Sequence, residues 1–112
     1  MENKVYLINP REGLDYSNAE KFGSVSPIAV GTGPMNLEEI KRSALALAQT
    51  FDEDDFILPS VGVTAVIWMG HFCMNMQGSD IQKIRILVWN GQTNEYVVRV
   101  MNLFPTVWED QN

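Results

Sequence analysis

The chain predicts an α/β fold: a sandwich with a mixed, mainly parallel sheet, two main helices and a C-terminal β-hairpin. Three observations carry this. Short β-prone runs alternate with two long helical patterns. The apolar run Phe56-Ile57-Leu58 breaks at Pro59-Ser60-Val61-Gly62 and gives way to a second apolar stretch, which reads as strand, tight turn and buried helix. Near the C-terminus, Asn90-Gly91 separates two strand-like runs, a hairpin signature.

Taken in order, Lys4 to Ile8 is a first strand stopped by Asn9-Pro10, because proline cannot donate to a ladder. Ser17-Asn18-Ala19-Glu20 has the pattern of a reciprocal helix cap over one or two turns, with Gly23 as its stop. Val25 to Val30 reads as a second strand, irregular or at an edge because of Pro27, and ended by Gly31-Thr32-Gly33-Pro34. Asn36 caps a helix whose Leu37, Ile40, Ala44, Leu47, Ala48 and Phe51 form one apolar stripe. Asp52 to Asp55 is an acidic connector; it reads as a solvated turn, since the ligand spacing of a calcium loop is missing. The helix Val63 to Gln77 is apolar almost all round, and such a helix needs cover on more than one side. In a chain this short, that cover suggests a homodimer through this helix, with Trp68, Phe72 and Met76 at the interface. Lys83 to Trp89 and Tyr96 to Leu103 complete the hairpin, and residues 104–112 form an irregular tail.

A length of 112 residues sets one domain, 1–112, with a single core. The net charge of −6 argues against a duplex-DNA binder, which gains affinity by neutralising phosphates with Lys and Arg. No apolar run is long enough to span a membrane and Met1-Glu2-Asn3-Lys4 does not open a signal peptide, so a cytoplasmic protein is expected. The single cysteine, Cys73, excludes an internal disulfide and a Cys-rich zinc site. Neither a Walker A pattern nor a dinucleotide fingerprint is present, and no cofactor or metal is called for.

Three loops should gather at one end of the sheet if the first and third strands are parallel neighbours. They are Asn9-Pro10-Arg11, Gly31-Thr32-Gly33 and Ser60 to Thr64. Together they could hold an anion, with Arg11 as a fork of donors, hydroxyls from Thr32, Ser60 and Thr64, and Gly62 allowing close approach at a helix N-terminus. In the plainer alternative, Gly62 merely permits the turn, Ser60 caps the helix and Arg11 faces solvent. His71 reads as a core or interface histidine. A Ser60, His71 and Asp55 triad can be written down, but the helix would hold His71 about two turns from the strand end. Trp68, Trp89 and Trp108 with Tyr6, Tyr16 and Tyr96 could stack bases, although alternation with Arg85 and Arg99 suits an exposed sheet face or interface better.

The runs Asn9-Pro10-Arg11-Glu12-Gly13-Leu14-Asp15, Ala19 to Gly23, Asp55 to Ser60, Ile86 to Asn90 and Tyr96-Val97-Val98 together resemble small accessory proteins of phages and mobile elements. The Gly-x-Pro that often follows the third strand in that group is replaced here by Ser60-Val61-Gly62-Val63. The resemblance implies a viral, non-enzymatic binding protein of the host cytoplasm. Acidic members of this size include inhibitors of host defence, some sequestering a nucleotide signal and others blocking a protein complex. A small phosphorylated ligand at the carboxyl edge of the sheet is therefore the leading expectation. A protein-directed inhibitor with an acidic surface is the alternative, and a small nucleotide hydrolase using Ser60 or Asp55 with His71 comes third.

Overall fold

The computed structural model describes residues 3–30, 37–60 and 62–103. Five strands, β1 (Lys4–Ile8), β2 (Ser24–Ile28), β3 (Phe56–Pro59), β4 (Lys83–Asn90) and β5 (Glu95–Asn102), form one sheet in the order β2-β1-β3-β4-β5. The first four run parallel and β5 returns antiparallel to β4, giving the mixed, mainly parallel sheet that the sequence predicts. Helix α1 (Leu37–Ala48) links β2 to β3, and α2 (Val63–Met76) links β3 to β4. The Gly31-Pro34 turn, the Asn36 cap, Val61 and the 104–112 tail lie outside the described residues.

The alternation of strand side chains divides the core in two. On one face, Ile8, Ile57 and Ile84 meet Ile40, Ala44 and Leu47 of α1 and Trp68, Phe72 and Met76 of α2. Trp68 stacks on Phe72 with ring centroids 5.1 Å apart, and Phe51 meets Phe72 edge-on at 5.2 Å. The Trp68 indole N–H donates to Ser43 Oγ at 3.0 Å, so its one polar atom is satisfied by the neighbouring helix. α1 and the sheet thus cover the inward side of α2. Trp68, Phe72 and Met76, expected at an interface between copies, are 0% exposed within one chain, and no partner could reach them. The outward side of α2 carries Val63, Val66 and Met74 instead.

On the other face, Val5, Leu7, Phe56, Leu58, Leu87 and Tyr96 pack beneath a 3-10 helix, Ser17–Phe22, through Ala19, Tyr16 and Phe22. This short helix is not capped by Ser17 as the sequence pattern suggests. The Ser17 N–H is taken by Asp15 Oδ1 at 2.9 Å, which moves the capping role two residues upstream. Gly23 follows it, and a Cβ there would lie 2.4 Å from the Asn3 carbonyl oxygen, so the close approach of β2 to β1 requires glycine.

Two further expectations are corrected. Leu37 is 48% exposed and lies off the buried stripe of α1, while Phe51 joins the core from beyond the end of the helix. In the acidic connector, Asp52, Glu53 and Asp54 are exposed but Asp55 is buried. Its carboxylate accepts the Lys4 N–H at 2.9 Å and the Asp52 N–H at 3.4 Å, tying the start of β1 to the turn before β3. Arg85 lies across the Phe56 ring, 4.0 Å from its centroid, and donates to the Asp54 carbonyl, which fixes the same turn from the β4 side.

Replacing Trp68 by Ala removes a fully buried ring and its hydrogen bond, a change expected to cost about 3–5 kcal/mol. Ser43→Ala should cost about 1 kcal/mol. Urea titrations followed by circular dichroism would show the first midpoint collapsing and the second shifting slightly.

Candidate functional site

Because β1 to β4 are parallel, their carboxyl ends share one edge, and Asn9 organises it. Asn9 leaves β1 with φ +52°, a left-handed conformation that asparagine tolerates better than most residues. Its N–H donates to the Ile28 carbonyl at 2.7 Å, and its side-chain oxygen accepts from the Val30 N–H at 3.4 Å. From β3, the Ser60 N–H donates to the Ile8 carbonyl at 3.1 Å and the Ser60 hydroxyl donates to the Asn9 carbonyl. The ends of β1, β2 and β3 are therefore joined at one point.

Beyond this junction the chain turns between Arg11 and Leu14, with Gly13 at φ +84°. It then crosses the sheet on the side away from the helices. Between this loop and the hairpin lies a cavity of about 640 Å³. Its walls are Leu14, Asp15 and Tyr16 from the loop, Leu58, Pro59 and Ser60 from β3 and its end, and Leu87, Val88, Trp89 and Tyr96 from the hairpin. The volume suits a small organic molecule, and its position at the carboxyl edge is where open α/β sheets bind ligands. Trp89 and Tyr96 meet edge-to-face at 5.0 Å and 70°, and Trp89 is still 44% exposed, so an aromatic surface is offered to whatever enters.

The polar groups of the wall are few and mostly engaged. Tyr16 Oη accepts the Arg11 N–H at 3.1 Å, which binds the loop to itself. The Ser17 N–H holds the Asp15 carboxyl below the usual carboxylate range. Burial, with Tyr16 and Asp15 nearby, raises the Tyr96 phenol, so it stays a neutral donor at physiological pH.

The five residues expected to bind a ligand are distributed unevenly. Ser60 lines the cavity, although its proton is committed to Asn9 and it does not cap α2. Arg11 is exposed on the loop whose later residues form the cavity wall. Gly62 precedes α2 with φ +139°, and Thr64 is half-buried in its first turn. Neither lines the cavity. Thr32 lies outside the described residues. The residues the sequence reading missed are Leu14, Asp15, Tyr16, Trp89 and Tyr96. Tyr16, Trp89 and Tyr96 are visible as aromatics, but nothing in the sequence joins the loop after β1 to the distant hairpin.

The triad of Ser60, His71 and Asp55 is not assembled. Asp55 precedes β3 and Ser60 follows it, about 16 Å apart by the rise of a strand. His71 is half-buried on α2, and Cys73 beside it has its thiol pKa pushed up by burial. Among the described residues no group of three His, Cys, Asp or Glu side chains is placed to hold a metal ion. None of the described helices is long and apolar enough to cross a membrane.

The model of the Phage Pam3 gp32-like protein family matches residues 3–103. The chain belongs to this family. The match takes in every strand and both helices, including all walls of the cavity, and agrees with a small phage accessory protein. Comparison with curated proteins and with solved structures finds no match in either.

The raised phenol of Tyr96 has a thermodynamic consequence. A group whose pKa is higher folded than unfolded stabilises fully below the unfolded value of about 10 and loses that contribution as pH rises through the folded value. Stability should therefore fall above about pH 10, with Tyr6, also raised by burial and by Asp55 and Asp52, contributing in the same direction. The fall should be shallower in Tyr96→Phe, as measured by thermal unfolding between pH 8 and 11.

Proposed function

We propose that this protein is a non-enzymatic phage accessory binding protein that sequesters a small, phosphorylated, nucleotide-like ligand at the carboxyl edge of its sheet. The observation that carries the reading is the 640 Å³ cavity with an aromatic wall at that edge. A flat ring enters beside Trp89 and Tyr96, with its apolar faces against Leu58 and Leu87 and its hydrogen-bond donors toward Asp15. Among the described residues the wall offers no cation to a phosphate and carries one carboxylate, which favours the ring rather than the phosphate inside the cavity. The phosphate lies outside, toward Arg11 on the same loop, where a guanidinium can bind it bidentately. Sequestering such a signal in the cytoplasm of an infected cell would inhibit a host defence that depends on it.

The test uses the position of the tryptophans. Trp89 lines the cavity, Trp68 is sealed in the core and Trp108 lies outside the described residues, so ligand entry should quench an emission component that Trp89→Phe removes. Titration with AMP, GMP, their cyclic forms and the parent nucleosides should give saturable quenching that is lost in Trp89→Phe. Calorimetry should show Arg11→Ala weakening the phosphorylated ligands by about 10–100-fold, the range expected for a charged hydrogen bond, while leaving the nucleosides unaffected. If none of these ligands binds and the protein instead forms a complex with a basic host protein, the protein-directed reading takes its place.

A further inference from the structure

The two edges of the sheet are built differently. The β2 edge is five residues long and carries Pro27, which cannot donate to an incoming strand. The β5 edge runs eight residues, Glu95 to Asn102, without a proline, and among the described residues no strand pairs with its outer side. Exposed edges of this length are normally blunted, because their free N–H and C=O groups template another strand. Here the side chains do not blunt the edge but complement it. Glu95 and Arg99 lie four residues apart on β5, positions that alternation puts on one face, and both are exposed. The Glu95 carboxylate also lies 3.9 Å from Lys21 Nζ, an exposed pair that salt and water screen and that leaves room for a second cation.

We infer that β5 pairs antiparallel with β5 of a second copy of this chain about a two-fold axis at Val97, extending the sheet to ten strands. In that register Glu95 of each copy lies opposite Arg99 of the other, and Tyr96 lies opposite Val98. Two opposite-charge pairs flank an apolar centre, and opposite charges directly across a ladder attract. A copy with net charge −6 approaches through the segment where its carboxylate meets a guanidinium, so local attraction offsets the repulsion between two acidic chains. The contact is isologous, as a closed dimer requires. Tyr96 also lines the cavity, so the added strand abuts the cavity wall.

The test is a charge exchange read by sedimentation velocity over a concentration series of the intact protein. The wild type should show a reversible monomer–dimer equilibrium. Glu95→Arg and Arg99→Glu each place like charges across the axis and should each weaken the dimer by about tenfold or more. The double variant restores opposite charges in reversed order and should restore the association. Circular dichroism on each variant keeps misfolding separate from lost association, and hydrogen exchange should show the amides of β5 losing protection on dilution. A wild type that stays monomeric throughout overturns the inference. So does a dimer indifferent to both single variants, which would point to the outward side of α2 with Val63, Val66 and Met74.

Discussion

The left-handed turn at Asn9 is the constraint on which the rest of the functional edge depends. A parallel sheet leaves the carboxyl ends of its strands without ladder partners, and each free backbone group must find another. Asn9 answers several of these demands at once, engaging Ile28 and Val30 through its N–H and side-chain oxygen and the Ser60 hydroxyl through its carbonyl. A β-branched residue could neither adopt φ +52° cheaply nor supply the side-chain oxygen. The same turn sets the direction in which the chain leaves β1. Since it leaves toward the face opposite the helices, Leu14, Asp15 and Tyr16 become a wall over β3 and the hairpin.

The two faces of the sheet are covered unequally, and the cavity is the result. The first face receives two full helices, whose large side chains fill the space above Ile8, Ile57 and Ile84. Among the described residues, the second receives only a six-residue 3-10 helix and the loop before it. That cover is enough to bury Val5, Leu7 and Phe56 near the centre, but it does not extend over the carboxyl ends of β3 and β4. Leu58, Leu87 and the Trp89–Tyr96 pair are left facing one another across unfilled space. Close packing is the normal state of a protein interior, so a gap of this size lined by rigid rings marks a place that the described residues leave unfilled.

The fold was legible in the sequence to the extent that it rests on local signals. Proline, glycine and asparagine at strand ends, the stripe Ile40, Ala44 and Leu47, and the Asn90-Gly91 turn each act over a few residues and do so in the structure. What escaped was set by distant partners. The burial of Asp55 depends on the Lys4 amide, 51 positions away, and the sealing of Trp68 depends on Ser43. Without α1 beside it, an α2 apolar on all sides suggests a second chain; with α1 present, Trp68, Phe72 and Met76 are covered within one chain, while Val63, Val66 and Met74 stay exposed. The site was half legible for a similar reason. Ser60 could be found because strand, turn and helix follow one another around it. The aromatic wall could not, because Tyr16 and Tyr96 meet only when the loop after β1 folds over the hairpin.

The condition of the polar groups around the cavity bears on what the site can do. A nucleophile needs an adjacent base and a base needs a third group to orient it. Here the Ser60 proton goes to a backbone carbonyl, Tyr16 is held by the Arg11 amide, and Asp15 is held as a carboxylate by the Ser17 amide. These bonds fix the walls of the cavity and leave no pair of them in a nucleophile–base relation. These groups hold the loop against the sheet and so fix the shape of the site. On the proposed reading, discrimination among ligands would follow from the outline of the ring, from which edge it presents to Asp15, and from whether a phosphate reaches Arg11. Rigid aromatic walls lose little freedom on binding, and so a ring of the proposed kind would need no moving part to be held in a cavity of this size.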